Sequence, residues 1–148
     1  TKHVNVIGHC LGGLIGQYYL ANDDTTSEDT SIKNLVTLGT GFLGAEGVQT
    51  LKEAWIDRHP KAEVSPVVFD ELIEWNMSIA AKAGNVAYHN FITIWDFLVH
   101  FQKGLLNSDP HTDGSVQNYI IEDSDIDHLT LALNPNVFDK INHALSVA

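Results

Sequence analysis

Along this chain the hydrophobic pattern switches from the period of a strand to that of a helix at once, within residues 4–13. Val4, Val6 and Ile7 make a short run rich in β-branched side chains, the composition of a buried strand. From Leu11 the spacing turns helical, and Leu11, Leu14, Ile15, Tyr18 and Tyr19 are assigned to one apolar face. Gly8 and Gly12 flank the junction, where side chains are expected to collide, and Gly13 and Gly16 let the helix lie close to the strand. A polar, acidic stretch from Asn22 to Ser31 reads as a solvated loop. Ile32 to Thr40 then reads as a second strand, with Leu35, Val36 and Leu38 apolar and Gly39 ending it. Strand, helix, strand in this order predicts a right-handed crossover and a parallel sheet.

The next stretch, 41–84, contains no strand pattern. Glu46 to Arg58 has helical composition around Leu51, Ala54 and Trp55 and stops before Pro60. A second helix is capped by Ser65, opened by Pro66 and ended by Gly84, with Phe69, Leu72, Ile73, Met77 and Ala80 at helical spacing. Strand character returns at Val86 to Trp95, centred on Phe91 to Ile94. Asp96 follows, then a short helical stretch to Asn107 and a turn-rich loop at Ser108 to Ser115. Tyr119 to Glu122 is the fourth predicted strand. After an acidic loop, Asn134 and Pro135 open a last helix, whose expected buried face is Val137, Phe138, Ile141, Ala144 and Leu145.

Bulk composition narrows the reading. With 148 residues and 44% hydrophobic content, one domain spanning 1–148 is expected. A net charge of −11 disfavours nucleic acid and anionic membranes as partners. No apolar run approaches the length of a membrane span. The single cysteine excludes an internal disulfide. Asp123, Asp125 and Asp127 have the spacing of the start of a calcium loop, but the glycine and distal glutamate such a loop requires are replaced by His128 and Asn134. No metal or cofactor is expected.

The chemistry concentrates at Gly8-His9-Cys10-Leu11-Gly12-Gly13. A sharp strand-to-helix turn makes one side chain project alone above the sheet. The helix start beneath Cys10 offers free N–H groups and a positive dipole end, both suited to a thiolate and to an oxyanion. A cysteine nucleophile needs a base within reach and a group that orients the base.

These residues resemble the nucleophile elbow of α/β-hydrolases, G-x-S-x-G, with Cys10 where serine is usual. "Leu-Val-Thr-Leu-Gly-Thr" (35–40), "Asp-Phe-Leu-Val" (96–99) and "Asp-His-Leu" (127–129) are similar to segments of bacterial lipases and esterases. The resemblance covers nearly the whole chain except 41–84, where such proteins carry a helical cap. It implies a partial α/β-hydrolase fold: a parallel sheet with flanking helices, starting at the nucleophile strand, with a cap insert at 41–84. It also implies Cys10 as nucleophile, His128 as base, Asp96 as orienting acid and the Leu11 N–H as one oxyanion donor. Asp113, in Asp-Gly-x-Val, competes with Asp96, but too few residues separate it from the fourth strand for the intervening helix. His9 is expected to pack rather than act as base, while His100 and His111 lie near site loops.

The implied activity is hydrolysis of carboxylic esters with apolar acyl groups, because Trp55, Phe69 and Trp75 give the insert an apolar character. Two alternatives stay open. Polyhydroxyalkanoate synthases have G-x-C-x-G-G at this point, which implies a cysteine acyltransferase on acyl thioesters, and a catalytically silent binding domain is the third reading. The nucleophile strand is central in the family's sheet, so the chain is expected to be completed by an amino-terminal half, or by another chain, in addition to binding a small ester or lipid substrate.

Overall fold

The computed structural model describes residues 3–22, 32–42, 86–105 and 116–147. The two predicted insert helices, Asp113 and His111 lie outside the described residues.

Four strands form one parallel sheet in the order β1-β2-β3-β4: β1 Val4–His9, β2 Ile32–Leu38, β3 Ala87–Thr93 and β4 Val116–Ile121. Helix α1 (Leu11–Asn22) connects β1 to β2, the short α2 (Phe101–Gly104) follows β3, and α3 (Pro135–Ser146) closes the described chain. Sequence order equals spatial order, so each crossover carries the chain one strand further across the sheet. All four carboxyl ends therefore lie on one rim, where the loops that bear Cys10, Asp96 and His128 emerge.

Burial separates centre from edge. From Asn34 onward β2 is buried on both faces, and so is β3 from Tyr88 onward. That is the pattern of interior parallel strands covered by helices. β1 and β4 are largely exposed, with Val4 and Ile7 each 49% accessible. On one face Val36, Leu38, Phe91 and Ile121 pack with Val137, Ile141 and Ala144 of α3. On the other face Leu35, Val86 and Tyr88 pack with Val6 and Leu20. The α3 start follows its sequence signals: the Asn134 side chain accepts from the Asn136 N–H at 2.8 Å, and Pro135 opens the helix.

Four expectations change. β4 begins at Val116, before the apolar Tyr119 where its pattern becomes visible, because an edge strand needs little apolar content to pair. β3 ends at Thr93, and Ile94 and Trp95 turn outward at 41% and 51% accessibility. Phe138 is exposed rather than part of the α3 seam.

The α1 faces are also reassigned. Leu14, Gln17 and the glycines Gly13 and Gly16 face inward, while Leu11, Ile15, Tyr18 and Tyr19 are exposed. The glycines decide this. A Cβ on Gly16 would meet Leu35 Cδ1 at 2.8 Å, and one on Gly13 would collide with the Thr40 hydroxyl. The smallest side chains lie where helix and sheet come closest, so the large apolar residues are turned away.

Candidate active site

The junction between β1 and α1 forces Cys10 into the left-handed region, φ 54°, the only non-glycine residue with positive φ among the described residues. Three bonds hold this turn. The Cys10 N–H donates to the Leu38 carbonyl at 2.8 Å, the Gly13 N–H donates to the Cys10 carbonyl at 3.1 Å, and the Thr40 hydroxyl donates to that same carbonyl at 2.9 Å. A β-carbon on Gly8 would stand 2.5 Å from backbone atoms of Gly12 and Gly13, so only glycine fits there. Gly12, by contrast, has open space where its side chain would be. The collision expected on both sides of Cys10 occurs on the Gly8 side only.

Asp96 and His128 come together across the rim. Asp96 Oδ2 accepts from His128 Nδ1–H at 2.7 Å, and both side chains are buried. The other carboxylate oxygen accepts from the Leu98 and Val99 N–H groups at 2.8 and 2.7 Å, which fixes the carboxylate plane. The returning chain is anchored in turn by Asn90, whose amide donates to the Gly104 carbonyl at 2.6 Å and to Asn118 Oδ1 at 2.8 Å while accepting from Thr37.

The His128 segment has its own supports. The Thr93 hydroxyl donates to the Ile126 carbonyl. The Asp127 carboxylate accepts from the Leu129 and Thr130 N–H groups and from the Thr130 hydroxyl. These bonds hold the Asp127 carboxyl below the usual carboxylate range, so the anchoring anion persists into acid. The acidic loop thus acts as a bracket for His128.

His128 is the electrostatic centre. Burial alone pushes its imidazole towards the neutral form. Hydrogen bonds to Asp96 and to Cys10, and the charges of both groups, outweigh burial and carry its pKa up to about 9.

Three residues proposed from the sequence for one catalytic unit are thereby brought together, while Asp113 lies outside the described residues. Leu11, the first residue of α1, places its N–H beside Cys10, where a helix start leaves N–H groups without intrahelical partners. His89 is a core residue: it bonds Asn34 and Tyr119, and burial lowers its pKa. His100 is exposed at the start of α2.

Sequence reasoning missed Gly39 and Thr40. Gly39 has φ 56°, and a Cβ there would stand 3.1 Å from both Asp96 Oδ2 and His128 Nδ1. Its place at the tip of a buried strand was the available signal, but only the fold puts the Asp–His pair above it. Among the described residues no group of three or more His, Cys, Asp or Glu is arranged to hold a metal ion. No helix among them is long and apolar enough to cross a membrane.

Solved structures share this architecture. The match to a Listeria innocua gene product covers 95% of this chain and 56% of that one, with a TM-score of 0.65 and 16% identity. A Pyrococcus furiosus esterase matches over 99% of this chain and 54% of its own, at 0.62 and 16%. An esterase from Exiguobacterium antarcticum matches over 99% and 68%, at 0.58 and 14%. No protein-family model matches the sequence, and no curated protein matches it. The fold is that of the α/β-hydrolases. This chain spans about half the length of the first two of these structures.

Proposed function

We propose that the chain carries the catalytic half of an acyl hydrolase, in which Cys10 is the nucleophile, His128 the general acid and base, and Asp96 the residue that orients His128. The observation that carries this reading is the 2.7 Å bond from His128 Nδ1 to Asp96, on an imidazole whose pKa Asp96 and Cys10 both raise, with Cys10 at a left-handed turn. Thiolate attack on an ester carbonyl carbon moves the carbonyl π electrons onto oxygen, which the Leu11 N–H helps to stabilise. Collapse breaks the carbon–oxygen bond of the ester, and the leaving alkoxide takes the proton held on His128 Nε2. The resulting thioester is cleaved by water, which gives a proton to His128 as it attacks and expels the thiolate.

An apolar acyl substrate is supported by the side chains around the pair. Phe97, whose ring lies 6.2 Å from that of His128, and Leu129 and Leu11 are exposed beside the proposed base and nucleophile. A second reading, acyl transfer from a thioester, is favoured by the cysteine itself and by an imidazolium that persists above neutral pH.

The experiment is the pH dependence of Cys10 alkylation by iodoacetamide, with and without His128→Ala. Fast alkylation near neutral pH, lost in the variant, is the expected result. A profile indifferent to His128 would leave a hydrolase-shaped binding domain. Turnover of acyl esters against acyl-CoA, with free acid counted, then separates hydrolase from transferase.

The exposed edge of β1 supports a second component of the same proposal: the remainder of an α/β-hydrolase sheet, in the same polypeptide or another chain, pairs there. Among the described residues β1 has one neighbour, β2, and an unpaired parallel edge is a ready template for a further strand. Amide exchange in β1 should be fast in these 148 residues alone and slow once the remaining strands are supplied. Equal protection in both states would remove the pairing.

A further inference from the structure

We propose that His9 is a positioning residue that locks the backbone of His128 to the turn carrying Cys10; this rests on the roles proposed above for those two residues. His9 is the last residue of β1 and the immediate neighbour of Cys10. Its Nε2–H donates to the His128 carbonyl at 2.8 Å, and the two rings stand 4.9 Å apart.

The other bonds that hold this segment end elsewhere. Thr93 ties Ile126 to the end of β3, Asp127 ties its own loop, and Thr130 returns to Asp125. Among the described residues the His9 bond alone joins the backbone of His128 to the element that presents the sulfur. Asp96 holds the far side of the imidazole at Nδ1, and His9 holds the chain that the ring grows from. With one point at the end of β1 and the other in the loop after β3, the residue is held from two sides. Without the second point the ring can drift while it keeps its bond to Asp96. Misplacement of a reacting group by 1 Å costs on the order of a hundredfold in rate.

The same bond separates the two histidines by role. His9 Nε2 is committed as a donor, so it cannot take a proton from Cys10 through that nitrogen. The carbonyl it serves belongs to the residue that can.

Two substitutions separate the hydrogen bond from ring packing. His9→Phe keeps an aromatic ring against His128 but has no N–H; His9→Gln keeps a donor at similar reach. Cys10 alkylation by iodoacetamide is followed across pH for both variants, for the wild type and for His128→Ala, with thermal denaturation alongside. His9→Phe should slow alkylation at neutral pH by about tenfold, with His9→Gln within about threefold of wild type. Equal loss in the two variants, or none in either, overturns the inference. If His9→Phe does not fold, the rescue by His9→Gln still decides. A profile that responds to His128→Ala but not to His9→Phe sinks this inference alone; one that ignores His128→Ala sinks the base assignment beneath it.

Discussion

Replacing Asp96 by asparagine should lower kcat about a thousand- to ten-thousandfold while the fold persists. The geometry explains why so small a change is so costly. Asp96 Oδ1 accepts two backbone N–H groups, so in the variant the amide oxygen takes that place and the NH₂ group turns toward His128. An NH₂ group facing Nδ1 requires Nδ1 to be an acceptor, which puts the imidazole proton on Nε2. That nitrogen is then unable to take the proton from Cys10. The charge that helps raise the His128 pKa to about 9 is lost as well, and burial then acts with less opposition.

Stability provides the second readout. The folded pKa of His128, about 9, lies above its ordinary value of 6.5. Its contribution to stability is therefore fully present below pH 6.5 and is lost as pH rises through about 9. Urea midpoints of the wild type should fall across that window, and the decline should be smaller for Asp96→Asn. A variant with near wild-type turnover would remove Asp96 from the catalytic unit and return Asp113 to consideration.

Gly8→Ala and Gly12→Ala, four residues apart and alike in sequence, should have opposite effects. The new methyl at position 8 would stand 2.5 Å from Gly12 C and O and from Gly13 N, all backbone atoms of the helix start. Nothing there can swing aside, so α1 must shift from β1, and the loss should be on the order of 4 kcal/mol. The turn would move with it, and Cys10 reactivity should go too. At position 12 nothing lies within 4 Å, and alanine removes only the conformational freedom of glycine in a helix. That change should be neutral or stabilising by about 0.5 kcal/mol. Denaturant midpoints of the two variants check the contrast, and a Gly12→Ala variant as damaged as Gly8→Ala would contradict this packing.

Local signals reached far into this fold because the chain uses them without conflict. β-branched strands at Val4–Ile7 and Ile32–Leu38, the glycines between β1 and α1 and the Asn134-Pro135 helix start are each explained by the nearest few residues. The parallel crossover follows from their order. Cys10 was legible because its turn needs a motif contiguous in sequence.

Long-range placement was not legible in the same way. The α1 face was misread because helical spacing says which side chains share a side, not which side meets the sheet. Thr37, Thr40 and Leu35, far along the chain, settle that by occupying the space where Gly13 and Gly16 must pass. Asp96 and His128 were named by analogy with a family, whereas their 2.7 Å contact depends on how β3 and β4 bring two loops to one rim. Gly39 and the His9 bond were invisible for the same reason: their partners are 57 or more residues away. The residue pattern along the chain specified the described strands, helices and the turn at Cys10, since those are governed by backbone sterics and periodicity over a few residues. Tertiary structure alone decided which imidazole the carboxylate meets and which helix face is hidden, since each is a contact between segments that the sequence does not place side by side.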